Sequence, residues 1–168
     1  MGVLEIRAMV DGDPVVISEA FTALGWPGRT VARYEGLLGQ QLRGERDVFV
    51  ATVDGELAGY VTLTWEPTYD HGAGIPEVQD LNVLPVFRRR GIGNALMDAA
   101  EARAAERASV IGIGVGLYAD YGSAQRMYVQ RGYLPDGRGV MYDWKPVPPG
   151  ETIRLDDDAT LMFTKLLG

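Results

Sequence analysis

Three consecutive arginines, Arg88, Arg89 and Arg90, run directly into Gly91-Ile92-Gly93 and then Asn94-Ala95-Leu96. Before them, Leu81-Asn82-Val83 reads as the end of a strand, closed by the break Leu84-Pro85. After them, Ile92, Leu96 and Ala99 recur at helical spacing. A helix that begins this way leaves its first backbone amides without intrahelical partners, and its dipole adds partial positive charge there. Glycine lets a ligand approach those amides closely. With three guanidinium groups beside it, the segment suits a phosphate or pyrophosphate. It is neither of two common nucleotide loops. The G-x-x-x-x-G-K-[ST] pattern is absent, and Gly91-Ile92-Gly93 is not followed by the third glycine of G-x-G-x-x-G.

Other chemically capable residues are sparse. His71 is the sole histidine and sits in a glycine-rich stretch, where a solvated surface position is expected. Asp156-Asp157-Asp158 reads as a solvated turn before a strand, or as part of an acidic patch with Asp70 and Glu66 that steers a cation. Gly112, Gly114 and Gly116 alternate along an apolar run, so another group is expected to approach that backbone closely.

The elements that must position these groups follow from pattern. Residues 3–8 alternate as a strand, and Asp13-Pro14 opens a helix in N-cap and N1 style, running to about residue 24. Val31, Tyr34, Leu37, Leu38 and Leu42 mark a second helix over 30–42. Residues 47–53 and 56–65, joined by Asp54-Gly55, form an antiparallel hairpin. A strand over 77–83, a helix over 91–107, a strand over 110–115 and a helix over 123–131 follow. Gly132 caps that last helix, and strands are expected over 140–144 and 160–166. The alternation predicts a mixed α/β fold with helices on both faces, in which the strands at 77–83 and 110–115 are parallel neighbours joined by a right-handed crossover.

Composition narrows the function classes. A chain of 168 residues fits one domain, and 46% apolar against 23% charged residues is a globular mixture. With no cysteine there are no disulfides, thiolate metal sites or thiol nucleophiles. The formal charge of −7 disfavours bulk nucleic-acid binding. No run of about 18 apolar residues exists to span a membrane. The opening Met1-Gly2-Val3-Leu4-Glu5-Ile6-Arg7 lacks the order of a signal peptide, so a cytoplasmic location is expected.

The segment Arg88-Arg89-Arg90-Gly91-Ile92-Gly93 resembles the acyl-CoA loop Q/R-x-x-G-x-G/A of the GNAT N-acetyltransferase superfamily. A second block agrees: Ala124, Tyr128, Gly132 and Tyr133 are similar to the family's N-x-x-A-x-x-x-Y-x-x-x-G-F/Y helix, with Tyr121 standing where asparagine is usual. The order of elements also matches, over nearly the whole chain. The resemblance implies the GNAT acyl-CoA N-acyltransferase fold, a mixed, mostly antiparallel sheet with a central splayed parallel pair. It implies acetyl-CoA as the acyl donor and no metal.

It also implies roles. Arg88, Arg89, Arg90, Gly91, Ile92, Gly93, Asn94 and Ala95 would wrap the pyrophosphate. The pantetheine would run beside Leu81, Asn82 and Val83, with an amide near Leu81 or Asn82 donating to the thioester carbonyl. Gly112, Gly114 and Gly116 would suit its close approach. Glu77 falls where family members often carry a carboxylate base, although it also reads as a plain strand carboxylate. Tyr128 matches the family's tyrosine that protonates the departing thiolate, although it also reads as a packed helix aromatic.

The expected activity is acetyl transfer to a primary amine, on a small cationic molecule such as an aminoglycoside-like, polyamine or amino-acid-derived amine. Two alternatives stand: a peptide or protein amine as acceptor, and a non-catalytic acyl-CoA sensor. No nucleic-acid or membrane partner is expected. A homodimer through the apolar C-terminal strand is one option, and an inner position for that strand is the other.

Overall fold

The structure, a computed structural model, describes residues 2–168; Met1, the first residue of the opening segment, lies outside them. Eight strands and four α-helices are present among the described residues. They are β1 (Leu4–Ala8), α1 (Asp13–Thr22), α2 (Val31–Leu42), β2 (Arg46–Val53), β3 (Glu56–Thr64), β4 (Glu77–Val83), α3 (Ile92–Ala105), β5 (Val110–Gly116), α4 (Gly122–Gln130), β6 (Leu134–Tyr142), β7 (Lys145–Pro146) and β8 (Ala159–Leu166). The strands hydrogen-bond in the order β1-β2-β3-β4-β5-β8-β6-β7. The recorded ladders are antiparallel except β4 with β5, where Glu77 faces Gly112 and Val78 faces Ile113 in parallel.

The chain divides into two compact units. One comprises residues 1–64 and 79–103, the other 65–78 and 104–168. In the first, α1 and α2 bury Ile17, Phe21 and Tyr34 against Met9, Val48, Val50 and Tyr60, with Trp26, Leu37 and Leu38 at the margin. In α2, Tyr34, Leu37 and Leu38 of the spacing that predicts the helix reach this core, whereas Leu42 is exposed, and Thr30 caps the helix by accepting from the Arg33 amide at 3.2 Å. Asp13 differs from its expected cap role. It lies inside the first turn, where its carboxylate accepts from the Val10 amide at 2.8 Å and from Arg7 at 2.7 and 2.9 Å.

The part of β4 in the first unit begins at Gln79, and the next residue, Asp80, has φ +51°, an unusual value for a non-glycine strand residue. Gly59 on β3 permits the close approach of β4. A Cβ there would lie 2.4 Å from the Asn82 carbonyl oxygen.

In the second unit, β8 lies between β5 and β6, so the apolar C-terminal segment is an inner strand. β6 begins at Leu134, earlier than its apolar stretch suggests, because Gly137 and Gly139 at positive φ belong to an irregular stretch of its ladder. β7 has two residues and no readable pattern. Among the described residues, no helix is long and apolar enough to cross a membrane.

Candidate active site

The loop between β4 and α3 is built as the sequence suggests. Residues 85–87 make one 3-10 turn, Arg89 takes φ +58° and Gly91 φ +79°. These left-handed residues turn the backbone into the start of α3, whose first intrahelical bond runs from the Ala95 amide to the Gly91 carbonyl at 3.0 Å. The amides of Gly91, Ile92 and Gly93 precede that first bond, at the end of the helix where partial positive charge gathers. Ile92 is buried and anchors the helix, while Arg88, Arg89, Arg90 and Gly91 are exposed. Arg88 Nε donates to the Val83 carbonyl at 3.1 Å, and Arg90 lies over the Phe87 ring at 5.4 Å. None of the three arginines pairs with a carboxylate among the described residues. The donor set fits a pyrophosphate: turned amides at a helix start and three cations with no competing anion.

Leu81, Asn82 and Val83 are half-buried on the last part of β4. The Asn82 amide group donates to the Tyr60 hydroxyl at 3.2 Å and the Asp80 carbonyl at 3.1 Å. Asp80 itself takes Arg33 at 2.8 Å. Tyr60 in turn accepts from Arg29 Nη1 at 2.8 Å and meets the Tyr34 hydroxyl at 3.4 Å. Burial first, then the charge of Asp80, pushes the Tyr60 phenol up from its ordinary value, so it remains a neutral hydroxyl. Arg29, Tyr34, Tyr60 and Asp80 escape sequence reading because their partners are distant in the chain.

The second unit contains Glu77 and Tyr128. Glu77 is no surface carboxylate: it is 3% exposed, and His71 Nε2 lies 2.6 Å from its Oε2. The expectation of a solvated His71 is overturned. Its side chain is fully enclosed, edge-on to the Tyr69 ring at 4.7 Å. The ring occupies the space of a missing side chain, since a Cβ on Gly112 would lie 2.5 Å from Nε2. Gly114 and Gly116 likewise admit Met162 and the Tyr121 ring, so close approach along β5 comes from the chain's own side chains. The turn that carries His71 is pinned from β6. Tyr69 donates to Asp136 at 2.5 Å, and Arg138 Nη1 donates to the Asp70 carbonyl at 2.5 Å.

Tyr128 is buried on α4 and packs against Tyr133 at 5.9 Å. Burial alone raises its phenol above the ordinary value, which keeps the proton in place at neutral pH. Tyr121, at the family's asparagine position, donates to Asp157 at 2.8 Å, and Tyr118 donates to the same carboxylate. Tyr142 donates to Asp156 at 3.0 Å. Asp156 and Asp157 therefore fasten tyrosines and do not form a purely solvated turn.

The profile of the Acetyltransferase (GNAT) family matches residues 17–133. The chain belongs to the GNAT acetyltransferase family. Members of the GNAT family are acetyl-CoA-dependent N-acetyltransferases. An Archaeoglobus fulgidus protein described as an uncharacterized N-acetyltransferase is 39% identical over 67 residues, covering 39% of this chain and 45% of that protein. The chain thus matches less than half the length of that relative. Among solved structures, yncA from Salmonella typhimurium with its cofactor acetyl-CoA superposes with a TM-score of 0.68 at 20% identity, covering 98% of this chain and 94% of that one. Ribosomal-protein-alanine N-acetyltransferase from Brucella melitensis gives 0.72 at 17% identity, covering 97% and 99%. At these identities the likeness is one of fold: an eight-stranded mixed sheet with one parallel pair and four helices. Among the described residues, no group of three or more acidic or histidine side chains is arranged to hold a metal.

Proposed function

We propose that the protein, acting as one functional domain, transfers the acetyl group of acetyl-CoA directly to a primary amine on a small molecule that arrives as an ammonium cation. The loop from Arg88 to Ala95 carries this reading. Among the described residues its exposed arginines have no carboxylate partners, in a chain of net charge −7, which is hard to explain without an anionic ligand.

When bound, acetyl-CoA supplies an acetyl group activated as a thioester. Arg88, Arg89 and Arg90, with the amides of Gly91, Ile92 and Gly93 at the head of the segment that runs through Asn94 to Ala95, hold the pyrophosphate. Leu81, Asn82 and Val83 offer backbone groups to the pantetheine arm. One amide there donates to the thioester oxygen, a contribution often worth about 3 kcal/mol. Alkyl ammonium ions have pKa values of about 10, so a base must take a proton before the nitrogen attacks. Glu77 takes that role, directly or through water, with His71 holding its carboxylate in one orientation. Tyr128, kept protonated by burial, donates to the departing sulfur.

The overall acidity supports a cationic acceptor. A purely acyl-CoA-binding protein would need neither a buried carboxylate–imidazole pair nor a tyrosine at 128. The test is release of free CoA thiol from acetyl-CoA in the presence of a panel of primary amines. The protein has no cysteine and adds no thiol background. Amine-dependent thiol release that Glu77→Gln abolishes supports the reading; acetyl-CoA binding with no turnover on any amine contradicts it.

A further inference from the structure

Arg29 is a half-buried cation with no carboxylate of its own. It ends the loop after α1, where Ser18 Oγ donates to its carbonyl at 2.6 Å and Thr22 Oγ1 at 3.3 Å. Its guanidinium lies against the rings of Phe21 at 5.6 Å and Trp26 at 5.2 Å. Both recorded hydrogen bonds leave from one nitrogen, Nη1, to Tyr60 at 2.8 Å and to Tyr34 at 3.5 Å. Among the described residues no acid pairs with it. Asp80, the acid whose charge reaches it, is engaged by Arg33 at 2.8 Å. Nε and Nη2 are left as a rigid fork of the kind that grips a carboxylate through two parallel bonds. Leaving a partly desolvated charge unpaired is costly, and the chain has 23 acidic residues from which a partner could have been drawn.

The position of the fork matters as much as its chemistry. The Tyr60 hydroxyl that accepts from Arg29 also accepts from Asn82. The guanidinium is therefore two hydrogen bonds from the β4 segment proposed to hold the acetyl end of the donor. An anion on the fork would lie near the amine that reacts. A polyamine or aminoglycoside would set a second cation against Arg29, and like charges there count against binding.

We infer that Arg29 is the acceptor-specificity residue, and that the acceptor is an amino-acid-like amine whose carboxylate binds the Arg29 guanidinium. This rests on the acetyl-transfer reading above and selects among its amines. The test measures kcat/KM with acetyl-CoA for a set of L-amino acids, their amides and their decarboxylated amines. The wild-type protein is expected to prefer at least one acid over its own amide by about tenfold or more, as a charge-assisted pair implies. Arg29→Met is expected to bring acid and amide within about threefold of each other, through the KM of the acid, without moving the KM for acetyl-CoA. Arg29→Lys should recover part of the preference. Equal use of acids, amides and amines by the wild-type protein overturns the inference and leaves acetyl transfer standing. So does an equal loss on all three in Arg29→Met. If acetyl-CoA binds and no amine is acetylated, the acetyl-transfer reading fails and this inference fails with it.

Discussion

His71 Nε2 and Glu77 Oε2 lie 2.6 Å apart in a buried pair, and among the described residues His71 Nδ1 has no hydrogen-bond partner. A contact of that length places a proton between Nε2 and Oε2, so the imidazole and the carboxyl group fix each other's orientation. The ring fits only because residue 112 is glycine.

Two substitutions separate chemistry from packing at this pair. Glu77→Gln keeps shape and removes the base, and kcat is expected to fall about a hundredfold or more with little change in melting temperature. His71→Leu removes a donor from a buried carboxylate and is expected to cost about 1–3 kcal/mol of stability along with part of kcat. Steady-state kinetics and thermal unfolding check both, and wild-type kcat in Glu77→Gln would remove the assigned role.

Tyr128→Phe is expected to lower kcat by about tenfold to a hundredfold while acetyl-CoA affinity holds. Because burial raises the Tyr128 phenol, the wild-type rate should show no alkaline decline centred at or below about pH 10 from this group. A Tyr128→Phe variant with unchanged kcat would return Tyr128 to a packing role.

Burial, with the hydrogen bond to Asp136, pushes the Tyr69 phenol up to about 12. Between the unfolded value of about 10 and 12, the unfolded chain releases this proton and the folded one keeps it, so stability falls as pH rises through that window. Denaturant unfolding from pH 9 to 12 is expected to show this decline, and Tyr69→Phe should reduce its slope. An unchanged slope would contradict the account.

Gly59→Ala is expected to destabilise the chain by about 1–3 kcal/mol, because the new Cβ would lie 2.4 Å from the Asn82 backbone oxygen. Since that contact is with the donor-binding segment, the KM for acetyl-CoA should rise as well. A fully stable Gly59→Ala protein with unchanged KM would show that β4 can shift freely.

The sequence is most readable where one local rule suffices. β4 and β8 fall within one residue of the strands read at 77–83 and 160–166, α2 follows from its apolar spacing, and the Arg88–Ala95 loop from arginine and glycine at fixed offsets. What escapes depends on partners remote in the chain. His71 sits among glycines and reads as surface, yet Gly112, 41 positions later, provides its space. Asp80 carries no mark of its left-handed backbone, and Arg29 resembles any other loop arginine until Tyr60 and Tyr34 are brought to it. The acidic run at 156–158 matches solvent-facing turns in composition, while three tyrosines decide its real position.

The most direct measurement is calorimetric titration of the protein with acetyl-CoA, with desulfo-CoA and ATP alongside, repeated with Gly91→Glu. The account predicts one site that takes the CoA compounds in preference to ATP. It also predicts a loss of at least tenfold in affinity when a carboxylate is placed at Gly91, where φ is +79° and α3 is about to begin. No binding of acetyl-CoA at millimolar concentration, or undiminished binding by Gly91→Glu, would contradict it.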